Sequence, residues 1–195
     1  QIEDIAIMRV IPNMRVILPA DSVAVSKLTW IIAQQYGPFY MRMCRSKTPI
    51  IHNDSQEFQV GKAITMREGS DCTIAACGIT VKMALDAADL LNQDGISCRV
   101  IDCFSIKPID KELLEKAARE TGAIVTCEEH NVMGGFGSAV SEVVSESYPV
   151  PIRRIGVQDK FGESARDNEI AQLLEKHGMT PINIINMVEE ARSHK

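Results

Sequence analysis

Several patterns that point to common functions are missing from this sequence. Its six cysteines form no Cys-x-x-Cys pair, which argues against a zinc site or a disulfide framework and favours buried free thiols in a reducing cytosol. No apolar run is long enough to span a membrane, and no signal-peptide pattern opens the chain. The phosphate-loop, zinc-protease and serine-hydrolase signatures are absent as well. We therefore expect a cytoplasmic protein with no membrane partner.

The chain also has no excess of positive charge. Its 21 basic and 26 acidic residues give a net charge of −5, which argues against nucleic acid as the main partner. The 195 residues, 45% of them apolar, suffice for a substantial hydrophobic core. The first residue is Gln1, and the sequence opens directly on a helical pattern, so we expect a fragment.

The stretch 122–138 carries the clearest pattern. Residues 124–127 form an apolar run bounded by Gly122 and by charged residues, which is typical of a strand covered on both faces. A glycine-rich turn follows at Gly134, Gly135 and Gly137. The next apolar residues recur at the spacing of an amphipathic helix, namely Phe136, Ala139, Val140, Val143 and Val144. The stretch predicts a buried strand, a tight turn and a helix.

Similar units alternate along the rest of the chain, which favours parallel strands joined by right-handed crossovers. The predicted strands lie at 14–18, 39–44, 58–66, 71–77, 97–103, 124–127 and 151–155. The predicted helices lie at 3–10, 22–35, 80–92, 111–120 and 167–176, with two more starting near 136 and 180. Three of them begin at aspartates expected to act as caps, Asp21, Asp110 and Asp167.

A polar run of residues near position 55 predicts a domain boundary there. We expect the α/β class, with a three-layer α/β/α domain and a mostly parallel sheet at residues 56–195. Residues 1–55 would form a partial doubly wound α/β domain that precedes it.

Two candidate sites lie in the central stretch. The turn at Gly134, Gly135 and Gly137 could bind an anion at a helix N-terminus, or could simply permit a tight turn. His130 with Glu128 and Glu129 resembles an acid–base cluster in a loop at the carboxyl end of a strand. Such a trio also arises by chance in loops.

Arg45 is the third candidate. It ends the predicted strand 39–44, and alternation would place Arg42 and Arg45 on opposite faces if the strand continued that far. An arginine at the carboxyl end of a parallel strand can grip a phosphate or carboxylate with two hydrogen bonds, although a surface ion pair is an equal alternative. His177 most simply complements a helix C-terminus. His52 and His194 lie in polar segments and indicate little.

Together these pieces resemble the C-terminal half of transketolase, over essentially the whole chain. Residues 2–6, 8–9, 11–13 and 19–21 look like the closing third of that family's pyrimidine-binding domain. Residues 58–63, 102–110 and 128–131, with the glycines that follow, look like its C-terminal domain.

The resemblance implies a thiamine-diphosphate enzyme that transfers a two-carbon ketol unit between sugar phosphates. The complete enzyme would bind thiamine diphosphate and Mg²⁺ and form a homodimer. This chain lacks the family's Gly-Asp-Gly metal signature, and the segment with the activating glutamate would precede Gln1. We therefore expect no cofactor site, no metal site and no catalytic residue on this chain alone. It would need an N-terminal transketolase portion or subunit.

One functional position of the family maps onto this chain, because the arginine that binds the substrate phosphate corresponds to Arg45. In that family the domain holding the central stretch does not bind the cofactor, which supports a structural role for Gly134, Gly135 and Gly137. Relatives with the same layout are 1-deoxyxylulose-5-phosphate synthase and the beta subunit of 2-oxo acid dehydrogenases. A non-catalytic dimerisation or partner-binding module is the alternative from another class.

Overall fold

The computed structural model describes residues 1–45 and 47–195, and of Asp167 the backbone alone. The helices within these ranges are α1 (Asp4–Val10), α2 (Ser22–Ala33), α3 (Thr80–Gln93), α4 (Lys111–Thr121), α5 (Phe136–Ser147), α6 (Ile170–Lys176) and α7 (Pro181–Arg192). The strands are β1 (Arg15–Ile17), β2 (Phe39–Met41), β3 (Ile64–Arg67), β4 (Cys72–Ala76), β5 (Cys98–Asp102), β6 (Ser105–Lys107), β7 (Ile124–Asn131) and β8 (Ile152–Val157). A short 3-10 helix at Asp167–Glu169 leads into α6.

The larger sheet has five strands in the order β3-β5-β4-β7-β8. Four of them run parallel, and β3 pairs antiparallel with β5 at one edge. Helices α3 and α7 pack together over one face, and α4 and α5 pack together over the other. The predicted three-layer α/β/α arrangement with a mostly parallel sheet is confirmed.

The central strands are buried on both faces, as their apolar runs predicted. Every residue of β4 and β5 is buried, and five cysteines on or beside these strands and β7 are buried without disulfides, namely Cys72, Cys77, Cys98, Cys103 and Cys127. Burial raises the pKa of each thiol, for Cys98 to about 11 and for Cys72 to about 12. These thiols therefore stay neutral and act as small apolar packing groups.

A second, smaller sheet has the order β2-β1-β6. The helix–strand–helix–strand series at the start of the chain is present as predicted, with β1 parallel to β2. The sequence did not predict β6, which comes from the later part of the chain and pairs antiparallel with β1. Lys107 on β6 also donates to the carbonyl oxygens of Arg9 and Ile11 at the end of α1, both at 2.7 Å. The two parts of the chain are therefore joined by hydrogen bonds, and the division at residue 55 stays a prediction.

Three predicted strands had the wrong limits. The strand expected at 58–66 begins only at Ile64, because Gly61 turns the chain with a φ of +89° and Phe58 packs edge-on against Phe104. The strand expected at 39–44 ends at Met41. The strand expected at 124–127 continues to Asn131, so its charged residues lie within the sheet.

The helices agree with the prediction to within a few residues. Asp21 caps α2 by accepting from the Ala24 amide, and Asp110 caps α4 by accepting from the Leu113 amide. The cap predicted for Asp167 depends on a side chain outside those that the structure describes. No helix in the described residues is both long enough and apolar enough to cross a membrane.

The central position of β4 yields a stability prediction. Ile74 is completely buried there, whereas Ile182 on α7 is 60% exposed. We expect Ile74→Ala to lower the free energy of unfolding by about 2–5 kcal/mol, because it leaves a cavity between sheet and helices. The matched change Ile182→Ala should cost no more than about 0.5 kcal/mol. Urea denaturation measures both, and equal losses would contradict this description of the core.

Candidate functional site

A cleft of about 780 Å³ opens between the smaller sheet and the C-terminal part of the chain. One wall consists of residues 1–4 and of residues 40–45, which include and follow the end of β2. The other wall consists of residues 162–165 and part of α6 with His177. Glu129 near the end of β7 and Val157 at the end of β8 also line it. The carboxyl ends of strands from both sheets thus meet here, which is where open α/β sheets bind ligands.

Arg45 lies in this cleft, four residues beyond the end of β2. Its Nη2 donates a hydrogen bond to the carbonyl oxygen of Ala165, at 3.0 Å. Because the strand ends at Met41, the strand alternation that would have separated Arg42 from Arg45 does not apply, and both line the same cleft. The planar fork of N–H donors on a guanidinium in this cleft suits an anionic ligand.

Arg42 forms ion pairs and a hydrogen bond that join the first residues of the chain to β7. Its Nε lies 3.1 Å from Asp4 Oδ2, its Nη1 3.3 Å from Glu129 Oε2, and its Nη2 donates to the Gln1 carbonyl oxygen at 3.0 Å. The Tyr40 hydroxyl also donates to Asp4, at 2.7 Å. Burial and this contact raise the pKa of Tyr40 to about 12. Burial raises the pKa of Glu129 as well, although Arg42 opposes the shift.

Glu128 occupies the N-terminus of α5. Its side chain is fully buried, and its two oxygens accept from the backbone amides of Phe136 at 2.6 Å and Gly137 at 2.8 Å. Burial raises the pKa of Glu128 to about 7, while the two amides oppose the shift. The carboxylate therefore lies where a bound phosphate would accept the same hydrogen bonds. The chain fills this anion site with its own side chain.

The glycines of the turn make room for that carboxylate. A Cβ on Gly135 would lie 2.1 Å from Glu128 Oε2 and 2.6 Å from His130 Nδ1, and one on Gly137 would lie 2.6 Å from Thr126 Oγ1. Gly134 has a φ of +72°, which side chains other than glycine rarely adopt. This geometry supports the structural interpretation of the glycine-rich turn.

His130 links the sheet to α1. The ring is fully buried, and its Nε2 accepts from the Ile5 amide at 3.1 Å and from the Ala6 amide at 3.4 Å. Its Nδ1 lies 2.6 Å from the carbonyl oxygen of Asn131, to which it donates when the ring is neutral. Burial lowers the pKa of His130, so the neutral ring, with Nε2 free to accept, is favoured.

The expected acid–base trio was wrongly placed in a loop. Glu128, Glu129 and His130 all belong to β7, and strand alternation separates Glu129 from the other two, of which His130 Nδ1 lies 3.6 Å from Glu128 Oε2. Glu128 and His130 are fully buried against the ends of two helices, whereas Glu129 faces the cleft and contacts Arg42. They do not form one group open to a ligand.

Sequence reasoning missed a buried charge cluster around His52. The imidazole is fully buried between two carboxylates, with Nδ1 3.1 Å from Asp21 Oδ2 and Nε2 3.2 Å from Asp102 Oδ2. Asp21 comes just before α2, His52 lies in the connecting segment, and Asp102 ends β5. No local pattern could have revealed this cluster, because its members are far apart in sequence and His52 begins a polar run.

The described residues do not fit a diphosphate and metal site. The glycine-rich turn that could have cradled a diphosphate already binds Glu128 through its amides. No group of three or more His, Cys, Asp or Glu side chains in the described ranges could hold a metal ion. We therefore derive no catalytic step through thiamine diphosphate on this chain, and the prediction that its site lies elsewhere remains a prediction.

The crowding at Gly135 can be tested directly. Gly135→Ala should lower the free energy of unfolding by about 2–4 kcal/mol, because its Cβ would collide with Glu128 and His130. Gly162→Ala is the matched control, since its Cβ would make only an ordinary contact with Ile2 at 3.6 Å. Chemical denaturation should show a loss below about 0.5 kcal/mol for Gly162→Ala. A tolerated Gly135→Ala would contradict the proposed role of Glu128 at α5.

The role of His130 predicts a pH dependence. Because its pKa is lower in the folded state than in the unfolded state, its contribution to stability is complete above about pH 6.5 and declines as the pH falls. His130→Gln keeps a neutral acceptor that does not titrate. The cost of this substitution should therefore shrink by up to about 1.4 kcal/mol per pH unit below pH 6.5. Denaturation at several pH values measures it, with exposed His194→Gln as control. A cost independent of pH would rule out this role.

Comparisons with known proteins identify the family. The family described as "Transketolase, C-terminal domain" matches residues 61–184. The chain is 42% identical, over 99% of its length and 59% of the relative, to 6-deoxy-6-sulfo-D-fructose transketolase subunit SqwH of Clostridium sp. (strain MSTE9). It is 43% identical, over 87% of its length and 54% of the relative, to one subunit of the apulose-4-phosphate transketolase of Phocaeicola vulgatus.

A solved structure described as "Split gene transketolase, inactive beta4 tetramer" superposes on the whole chain with a TM-score of 0.93 and 46% identity. The chain covers 62% of that structure and spans between half and two thirds of the curated relatives named above. The family match covers well over half of the chain and agrees with the three-layer architecture. The chain belongs to the transketolase family and carries its C-terminal domain.

Proposed function

We propose that this chain is the C-terminal portion or subunit of a thiamine-diphosphate-dependent transketolase, which transfers a two-carbon ketol unit between sugar phosphates. The observation that carries the proposal is the similarity to transketolase subunits, which extends over almost the entire chain. In this proposal residues 1–55 complete a pyrimidine-binding domain and residues 56–195 form the C-terminal domain.

The cofactor and the catalytic groups would come from outside this chain. Thiamine diphosphate and Mg²⁺ would bind in the complete enzyme, together with an N-terminal transketolase portion or subunit, and a homodimer of the whole would be the working unit. The internal anion at α5 supports this division, because Glu128 already accepts from the amides of Phe136 and Gly137 at the helix N-terminus. The larger sheet would then serve assembly rather than chemistry. Five buried thiols support a reducing, cytoplasmic location.

Arg45 would bind the anionic end of the substrate. It lies in the cleft on a short segment after β2, and the Ala165 carbonyl holds one edge of its guanidinium. The names of two similar proteins include a sulfo sugar and a sugar phosphate, and both groups present several oxygens to a guanidinium. A planar fork of N–H donors suits such a group better than an ammonium does.

The effect of removing Arg45 should depend on the substrate. A charge-assisted hydrogen bond is worth about 1.5–3 kcal/mol, so Arg45→Ala should raise KM for phosphorylated acceptors roughly ten- to a hundredfold. The phosphate is remote from the reacting carbonyl, so the loss should appear mainly in KM. Arg45→Lys should recover only part of it, because lysine cannot form the fork.

Steady-state kinetics of the assembled enzyme with a phosphorylated acceptor and its unphosphorylated counterpart tests the assignment. Arg119→Ala is the matched control, because Arg119 lies on α4, where it pairs with Glu115 and stacks on Tyr148. It should leave both acceptors unchanged. If Arg45→Ala penalised both acceptors equally, Arg45 would be a structural residue and the substrate assignment would fall.

A further inference from the structure

The described residues of the segment that carries Arg45 belong to no helix or strand. Residues 42–45 and 47–52 follow β2 as irregular chain, so the position of the guanidinium depends on contacts with other elements. One such contact is made by Arg45 itself, whose Nη2 donates to the carbonyl oxygen of Ala165. Further contacts lie at the two ends of the segment, and both ends are held by charge clusters with buried members.

At the first end, Arg42 ties the segment to α1 and β7 through Asp4 and Glu129. At the second end, Asp21 Oδ2 accepts from the backbone amides of Ile51 and His52, both at 2.8 Å. The same oxygen lies 3.1 Å from the His52 ring. The second end is therefore fixed to the start of α2 by its backbone and by its side chain.

The geometry around His52 favours a cation, and the ring opposes the rise in the pKa of Asp102 that burial causes. Each ring nitrogen faces a carboxylate, Asp21 at Nδ1 and Asp102 at Nε2, and only an imidazolium has an N–H at both positions. A neutral ring would leave one buried carboxylate facing an unprotonated nitrogen. Neither Asp102 oxygen nor His52 Nε2 has a hydrogen-bond partner within the described part of the chain, so the two groups meet as an ion pair at 3.2 Å, and the charge of Asp102 depends on His52 for compensation.

The surroundings of the ring strengthen this dependence. The charged groups that influence His52 are Asp102 from β5 and Asp21 from the start of α2. Phe58 packs edge-on against the imidazole at 5.1 Å and in turn against Phe104 at 5.2 Å. The neighbouring Cys103 stays neutral, because burial raises its pKa well above the ordinary value. Apolar cover of this kind keeps water away from the ion pairs and makes a lost charge costly.

We propose that His52 is a positioning residue for substrate binding, because its imidazolium between Asp21 and Asp102 holds the segment that aims Arg45 into the cleft. The inference rests on the proposed function of Arg45. It assigns no contact between His52 and the substrate. When the cluster loses its proton, two buried carboxylates face a neutral ring, the second end of the segment loosens, and Arg45 meets the anionic end of the substrate less often.

The direction of the pH effect follows from the carboxylates. Burial alone would lower the pKa of His52, but Asp102 and Asp21 outweigh it, so the pKa of His52 is raised. The stabilising effect is therefore complete below about pH 6.5 and declines as the pH rises through the raised pKa. KM for a phosphorylated acceptor should accordingly rise on the alkaline side, while KM for an unphosphorylated acceptor should not follow it.

The test uses the assembled enzyme, with KM and kcat measured across pH for a sugar phosphate acceptor and its unphosphorylated counterpart. His52→Gln should raise KM for the phosphorylated acceptor about tenfold at neutral pH, the equivalent of one partly lost charge-assisted bond. It should leave kcat and the unphosphorylated acceptor within about twofold, and it should abolish the alkaline rise in KM. Exposed His194→Gln should change none of these.

Asp102→Asn keeps the ring and the shape of the site, and it decides the question if His52→Gln does not fold. Without the second carboxylate the alkaline rise in KM should begin at a lower pH. An unshifted profile, or equal losses for both acceptors in the folded His52→Gln enzyme, would overturn the inference while leaving Arg45 as the anion contact. If Arg45→Ala itself failed to discriminate between the acceptors, the proposed function would fail, and this inference with it.

Discussion

Charged and polar side chains at the carboxyl ends of the central strands are buried, and each must find a partner in another part of the chain. Glu128 and His130 at the end of β7 accept from the amides that begin α5 and α1. Asp102 at the end of β5 faces His52. Leaving such a group unpaired costs several kcal/mol, a large share of the stability of a domain. Helix α1 and the connecting segment at His52 are therefore required partners of the larger sheet.

The same constraint fills the turn at this end of the sheet with a side chain of the protein itself. Open α/β sheets bind ligands at the carboxyl ends of their strands, and this chain has the glycine-rich turn that such sites need. The turn nevertheless binds the carboxylate of Glu128 through its amides. The nearby His130 accepts from the Ile5 amide at the start of α1. The free volume lies beside this end, in the cleft that contains Arg45. Under the proposed function, a structural charge, Arg42, and a binding charge, Arg45, are thus separated by only a few residues.

The hydrophobic periodicity and the positions of glycine and proline were sufficient to predict the three-layer architecture around the larger sheet. Gly95 and Gly122 end helices with φ of +79° and +67°, as expected of glycines between a helix and a strand. The apolar run at 124–127 located β7, but its charged continuation hid the strand's true end. Charged residues inside a strand look like a loop when their partners are unknown. β6 was missed because its three residues gain their pairing only from β1, more than eighty positions earlier in the chain.

The candidate site was predictable only where a residue acts alone. Arg45 could be found from its position after a strand and from the family resemblance. The cluster of Asp21, His52 and Asp102 could not, because it depends on three segments that meet only in the folded chain. Asp21 was correctly predicted as a helix cap, and its Oδ1 accepts from the Ala24 amide. Its Oδ2, however, accepts from the His52 amide, which the sequence did not indicate. Long-range electrostatic partners carry no local periodicity, so the pattern of one segment does not reveal them.

The central claim is that this chain supplies the substrate-anion contact and the assembly surface, while the cofactor site requires the N-terminal transketolase portion. Isothermal titration with thiamine diphosphate and Mg²⁺ tests it most directly, first on the chain alone and then on the chain mixed with that portion. We expect no low-micromolar binding by the chain alone and clear binding by the mixture. Low-micromolar binding by the 195 residues alone would contradict the claim.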